Sequence, residues 1–114
     1  MVSDGLRAKL LAFRTEREWE QFHNLRTLST SLMLEAAELA EHTQWAPDSE
    51  IDRLATERRE QITQEVADMA ILLTYLVSDL GIDLEAAVDA KLAFNAERYP
   101  VEKARGTAKK YDEL

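Results

Sequence analysis

The chain has 114 residues, a length that supports one hydrophobic core but not two. Its net charge is −8, from 22 acidic and 14 basic residues, and such a balance disfavours binding to a nucleic-acid polymer. The lack of Cys excludes disulfides and thiolate metal sites, and no apolar run approaches the ~20 residues of a membrane helix, so we expect a cytoplasmic protein. With only 3 Gly and 2 Pro, the composition predicts an all-α fold.

Capping residues and breaks in periodicity predict the first two helices. Ser3 and Asp4 are expected to cap a helix that extends to about Glu18. Residues 19–25 interrupt the apolar periodicity and predict a structured connection. A second helix is then expected over about 26–43.

A long helical stretch follows the turn predicted at 44–49. It extends to Leu80, and because about 30 residues is long for a helix of a small domain, we expect a break near 55–56. Ser49 and Asp52 resemble a capping box at its start.

The last predicted helix lies between a glycine and a proline. Gly81 is expected to end the preceding stretch, and Asp83 can cap the new helix. Pro100 stops it after Tyr99. Residues 101–114 are predicted to form a less regular C-terminal tail of the single domain.

Two acids interrupt the apolar face of the long helical stretch. With about 100° of rotation per residue, Glu65 lies on the same stripe as Met69 and Leu72, and Asp68 lies beside it. The polar residues of the opposite, solvated side are Glu60, Thr63, Thr74 and Ser78. A charge on an apolar face needs a partner, which could be an Arg from another helix or a bound cation.

The second helix carries a matching run of acids. Glu35, Glu38 and Glu41 follow one another at intervals of three residues, a pattern that alone fits an exposed helix face equally well. The chain lacks the Glu-x-x-His repeats of a di-iron bundle. His42 is interpreted as a lone surface histidine.

Together the two helices would place four carboxylates around one small volume. Four neighbouring negative charges need compensation on the order of two divalent cations. Because the donors are all oxygen, they favour Mg²⁺ or Mn²⁺.

Basic and aromatic residues supply further candidates for a binding site. Lys91, Asn95 and Arg98 share one helix face, which fits either a solvated surface or a triphosphate clamp. Lys109 and Lys110 could add charge from the tail. The aromatic residues at the predicted connections are Trp19, Phe22 and Trp45, and they could fill the core or stack on a nucleobase.

These runs resemble the MazG-type nucleotide pyrophosphohydrolases. The resemblance is carried by EAAELAEHTQW (35–45), EVADMAILLTYL (65–76) and KLAFNAERYP (91–100). The opening EREWEQFHNLRTL (16–28) and the final KKYDEL are similar to the short dCTP-pyrophosphatase-like branch, which includes integron-associated members. The similarity extends over nearly the whole chain.

The resemblance implies an all-α bundle that is completed by dimerisation, usually within a tetramer. It implies Mg²⁺-dependent hydrolysis of a nucleoside triphosphate to the monophosphate and pyrophosphate. The residues that match the family's metal ligands are Glu35, Glu38, Glu65 and Asp68. Those that match positions near the phosphates and sugar are Lys91, Asn95 and Lys110, with Arg98 as a possible assistant. Those that match the base pocket are Trp19, His23 and Trp45.

At two positions the residue type differs from that of a vertebrate relative, and these differences leave the identity of the preferred nucleotide open. Leu10 stands where that relative has His, and Leu72 where it has Tyr. Because both positions relate to the nucleotide pocket, dATP and modified deoxycytidine triphosphates remain open beside dCTP. We expect Glu38 or Glu41 to orient the attacking water. The alternative function is a non-catalytic helical dimerisation module with its acids in buried ion pairs.

Overall fold

A computed structural model describes all residues, Met1–Leu114, and its regular structure is entirely helical, without strands. The α-helices are α1 (Asp4–Glu16), α2 (Leu25–Glu41), α3 (Ile51–Glu57), α4 (Arg59–Asp79), α5 (Leu84–Arg98) and α6 (Val101–Ala104). Short 3-10 turns occupy Trp19–Phe22, Asp48–Glu50 and Tyr111–Glu113. The all-α prediction is therefore confirmed. None of these helices combines the length and apolarity that crossing a membrane requires.

The chain divides into two compact units, Met1–Gly81 and Ile82–Leu114. The first contains α1 to α4, and the second contains α5 and α6. Gly81 follows α4 with a φ of +64°, in the left-handed region that favours glycine at the end of a helix. The carboxylate of Asp83 accepts the backbone N–H of Ala86 at 3.1 Å and caps α5. Both predicted boundaries are confirmed, while the organisation as one domain stays a prediction.

The other helix starts agree only in part with the predicted caps. Ser3 Oγ accepts the backbone N–H of Leu6 at 3.2 Å, as expected for the first helix. At α2, Asn24 and Thr27 form a reciprocal capping box that the sequence reading missed.

The predicted capping box before α3 is wrong. The helix begins at Ile51 with Glu50 at the N-cap, and no side chain caps it. The break in the long stretch falls at Arg58, two residues beyond the predicted position, because Arg58 leaves helical geometry with φ −102° and ψ 20°.

Helices α2 and α4 share the most extensive packing of any two elements. The buried apolar residues of the chain are Leu28 on α2, Leu54 on α3 and Tyr75 on α4. Thr74 is also buried, with 2% of its surface exposed, so its predicted place on the solvated side is wrong. Its hydroxyl donates to the Ala70 carbonyl at 2.7 Å, and this bond within the helix satisfies the polar group without solvent.

A buried arginine joins α1 to α4. Arg14 is 5% exposed and donates two hydrogen bonds to the carboxylate of Asp79, at 2.7 and 2.9 Å. Its guanidinium carbon lies 4.6 Å from the centre of the Tyr75 ring, and the Tyr75 hydroxyl donates to the Leu10 carbonyl at 2.9 Å. The pair lowers the pKa of Asp79, chiefly through the hydrogen bonds from Arg14.

In the second unit, aromatic contacts attach the C-terminal turn to α5. The guanidinium carbon of Arg98 lies 3.2 Å from the centre of the Tyr111 ring, and Tyr99 meets Tyr111 edge to face at 6.3 Å. Residues 101–114 hold only α6 and this last turn.

Candidate metal and nucleotide site

The packing of α2 against α4 brings the two predicted pairs of acids into one region. Glu35 and Glu38 lie one turn apart on α2, and Glu65 and Asp68 lie one turn apart on α4. The pKa of Glu35 is raised, first by burial and then by the negative charges of Glu38, Asp68 and Glu65. Since a carboxylate raises the pKa of another only when the two are near, Glu38, Asp68 and Glu65 lie close enough for their charges to act on Glu35.

Three of these four acids have no basic partner. Glu35 is half-buried, Glu38 and Asp68 are exposed, and none of the three forms an ion pair. Buried arginine–carboxylate pairing does occur in this protein, but it uses Asp79 instead of these acids. The clustered negative charge on α2 and α4 therefore lacks compensation from the protein.

Glu65 alone has a partner, and that partner is His42. The distance from His42 Nε2 to Glu65 Oε2 is 2.8 Å, and the two side chains are only 14% and 16% exposed. The interpretation of His42 as a lone surface residue is therefore wrong. Its spacing of four residues after Glu38 placed it on the same side of α2 as that acid, and the packing of α4 then covers it.

The donor chemistry of the four acids fits a hard divalent cation. All are carboxylates, which suit Mg²⁺ or Mn²⁺, and three are free of basic partners. The side chains are not preassembled around an ion, because no three acids or histidines converge closely enough to hold one together.

A cavity of about 490 Å³ opens beside these acids in the first unit. It is lined by Glu38, Glu41, His42, Arg58 and Glu65. Arg58 Nη1 donates to the His42 backbone carbonyl at 3.0 Å, so it satisfies one of the carbonyls left open at the end of α2. Sequence reasoning missed Arg58, and the adjacent basic pair Arg58-Arg59 was the only signal of it.

The three residues predicted for the base pocket do not contact one another through their rings. Trp19 is 43% exposed and meets Phe13 edge to face at 5.7 Å. Trp45 is 89% exposed in the turn after α2. The ring of His23 lies 5.5 Å from that of Tyr75. Within the single chain, Trp19 and His23 therefore pair with other aromatic residues, and the base pocket stays a prediction.

His23 joins the buried pair of Arg14 and Asp79. Arg14 Nη1 lies 3.3 Å from His23 Nδ1, and since a guanidinium can only donate, Nδ1 accepts and the ring proton belongs on Nε2. Burial, followed by the charge of Arg14, lowers the pKa of His23.

The residues predicted near the phosphates and sugar belong to the second unit. Lys91, Asn95 and Arg98 lie on α5, and Lys110 precedes the final 3-10 turn. Lys91 Nζ lies 4.8 Å from the centre of the Phe94 ring. Arg98 stacks on the ring of Tyr111, and Lys110 is the residue that precedes Tyr111 in the chain.

Comparison with known proteins gives the same family at several levels. The model of the MazG-like family matches residues 30–114. The chain is 43% identical over 104 residues to dCTP pyrophosphatase 1 of Bos taurus, and 40% identical over 104 residues to that of Homo sapiens. These matches cover 90% of this chain but only 62% of the bovine and 61% of the human protein.

A solved structure supports the same assignment. The crystal structure of a pyrophosphatase from Archaeoglobus fulgidus matches with a TM-score of 0.82 and 32% identity, covering 85% of this chain and 91% of that one. The family match extends over both acid pairs and over α5. By sequence and by fold, the chain belongs to the MazG-like family.

Proposed function

We propose that the protein is a Mg²⁺-dependent nucleoside triphosphate pyrophosphohydrolase that converts a deoxynucleoside triphosphate to the monophosphate and pyrophosphate. The observation that carries this proposal is the group of four acids on α2 and α4, three of them without a basic partner. The matched relatives are dCTP pyrophosphatases, which favours dCTP or a related substrate such as dATP.

The metal is proposed on the chemistry of the acids. MazG-like pyrophosphatases generally use a divalent metal ion. Glu35, Glu38, Glu65 and Asp68 would hold it here, with Mg²⁺ preferred and Mn²⁺ a substitute. When bound, the cation would polarise the phosphoryl oxygens, activate water and neutralise charge on the leaving group.

The chain's own residues would position the reactants. Water attacks the α-phosphorus, the bond to the bridging oxygen breaks, and pyrophosphate leaves. Glu38 and Glu41 both line the cavity, so either carboxylate could accept a hydrogen bond from the attacking water and orient it. Lys91 and Lys110 are proposed to stabilise charge on the pyrophosphate, with Asn95 and Arg98 beside them.

The base pocket is proposed to contain Trp19, His23 and Trp45. Trp45 is 89% exposed and Trp19 is 43% exposed, so part of each ring is accessible for stacking on a nucleobase. A neutral His23 would present its Nε2–H as a donor, because Nδ1 is occupied by Arg14.

We further propose that the protein acts as a homo-oligomer, with a dimer of dimers as the expected assembly. Only three apolar residues are buried in the single chain, few for a domain of this length. Large apolar side chains that remain more than half exposed on α2 and α5 are Leu25, Met33, Leu34, Val88 and Leu92. A second copy of the chain would cover such surface. The cytoplasmic location remains a prediction from composition.

The alternative, a non-catalytic dimerisation module, requires the acids to be in ion pairs. The lack of a basic partner at Glu35, Glu38 and Asp68 favours the enzyme instead.

Pyrophosphate release from a panel of dNTPs with Mg²⁺ tests the proposal. We expect turnover by the wild type, and a loss of about 100-fold or more in Glu65→Gln and Asp68→Asn, because roughly 3 kcal/mol of charge stabilisation would be lost. Glu57→Gln is the matched control, since Glu57 pairs with Arg53 on an exposed helix face. Near-wild-type turnover in both acid variants would overturn the metal assignment. A melting temperature that Mg²⁺ and every dNTP leave unchanged would favour the dimerisation module.

A further inference from the structure

The hydrogen bond between His42 and Glu65 sets this glutamate apart from the other three acids. It connects the residue that follows α2 to the middle of α4, and both side chains are largely shielded from solvent. Glu65 Oε2 takes part in the bond, while Oε1 has no hydrogen-bond partner.

His42 is itself held in place from two sides. Its backbone carbonyl accepts the hydrogen bond from Arg58 at 3.0 Å, and its ring is held by Glu65. Because Arg58 lies at the junction of α3 and α4, the backbone of His42 and the carboxylate it contacts are tied to the same part of the fold. The imidazole therefore approaches Glu65 from a restrained position.

We propose that His42 is a positioning residue for the metal site: its Nε2–H holds Oε2 of Glu65 and leaves Oε1 as the oxygen offered to a cation. This inference rests on the proposed function, since it assumes that Glu65 is a ligand. A carboxylate with one oxygen restrained loses less rotational freedom when it binds an ion, and it binds through a single oxygen. Hydrogen bonds to ligating residues of this kind typically change metal affinity by about 10–100-fold.

The test measures Mn²⁺ binding to the protein without nucleotide, at constant pH, from the electron paramagnetic resonance signal of the free ion. His42→Leu removes the donor, and His42→Gln retains an amide N–H near the position of Nε2. We expect His42→Leu to weaken Mn²⁺ binding about 10-fold or more and His42→Gln to remain within about threefold of the wild type. Glu57→Gln serves as the control for a surface change. In turnover assays, His42→Leu should raise the Mg²⁺ concentration needed for half-maximal rate more than it lowers kcat at saturating Mg²⁺.

The outcomes separate this inference from the proposed function. If the wild type binds no Mn²⁺, the proposed metal site fails. If the wild type binds Mn²⁺ and His42→Leu binds it equally well or more tightly, the positioning role is overturned while the site stands. Equal losses of Mn²⁺ affinity in His42→Leu and His42→Gln would also overturn it, because the N–H donor that Gln retains would then make no difference. Melting of the metal-free variants identifies a general loss of folding, and His42→Asn, whose shorter amide cannot reach Glu65, replaces His42→Leu if the latter does not fold.

Discussion

Replacing Asp79 by Asn tests whether the buried arginine pair stabilises the fold. The guanidinium of Arg14 is almost fully buried, and its bonds to Asp79 are the only ones it makes to an acid. Losing one partner of a fully buried pair costs about 3–5 kcal/mol. The Asp79 side chain is 34% exposed, so solvent would relieve part of that loss, and the Asn amide retains one acceptor. We therefore expect a loss of about 2 kcal/mol at pH 7.

The assay is thermal or urea unfolding at fixed protein concentration, followed by circular dichroism. For a chain of this length, 2 kcal/mol corresponds to a decrease in Tm of roughly 8 °C. The exposed pair of Arg53 and Glu57 provides the control: its bond is also 2.7 Å long, but its side chains are 56% and 55% exposed. Glu57→Gln should therefore change the stability much less than Asp79→Asn does.

The effect of Asp79→Asn should also depend on pH. Because the folded pKa of Asp79 is lowered, its contribution is fully present above the unfolded pKa of about 4 and is lost as the pH falls through the folded value. The stability difference between wild type and variant should accordingly shrink below about pH 4. A decrease in Tm no larger than that of Glu57→Gln, or one that is independent of pH into the acid range, would refute the reasoning.

Three further predictions concern the core of the first unit. Because the pKa of His23 is lowered in the folded state, the unfolded chain takes up a proton on His23 at a higher pH than the folded chain does. The free energy of unfolding should therefore fall as the pH drops below about 6.5. Urea unfolding of His23→Gln at several pH values should lack this decrease. Tyr75→Phe removes the side-chain hydrogen bond to the Leu10 carbonyl and should cost about 1 kcal/mol in urea unfolding. No measurable change would mean that solvent replaces the hydroxyl. Leu28→Ala, at a side chain 1% exposed, should cost about 3 kcal/mol by the same assay, and a loss below 1 kcal/mol would contradict its place in the core.

Local signals in the sequence were sufficient for most of the helical organisation. Gly81, Asp83 and Pro100 act through their own backbone and their nearest neighbours, and the observed boundaries follow them. The break at Arg58 was placed only approximately, because the helical periodicity continues across it and no glycine or proline marks it. The prediction of a capping box at Ser49 was wrong because the residue type only allows a cap, and the geometry of the turn decides whether one forms.

Side-chain partners were less predictable than helix boundaries. Arg14 and Asp79 are separated by 65 positions in the sequence. Neither residue belongs to a motif or spacing that would mark it as one half of a buried ion pair. Thr74 was predicted on the solvated side because it lies opposite Glu65 on the helix with other polar residues, but a hydrogen bond to the Ala70 carbonyl allows it to be buried. The apolar stripe around Glu65 predicted that the acids on α2 and α4 share one region, and the raised pKa of Glu35 is consistent with that prediction. Asp68, which was predicted on the same apolar face, is exposed.

Composition and periodicity were enough to predict the all-α class, and the similarity of whole runs of residues to the MazG-like family indicated the family. Helical spacing predicted that the two acid pairs lie together. The hydrogen bond between His42 and Glu65, and the one from Arg58 to the His42 carbonyl, could be seen only in the folded chain. The physical reason is that a hydrogen bond needs two atoms within about 3 Å, and for residues on different helices that distance is set by packing. Residue type and helical spacing specify only which groups are available to form it.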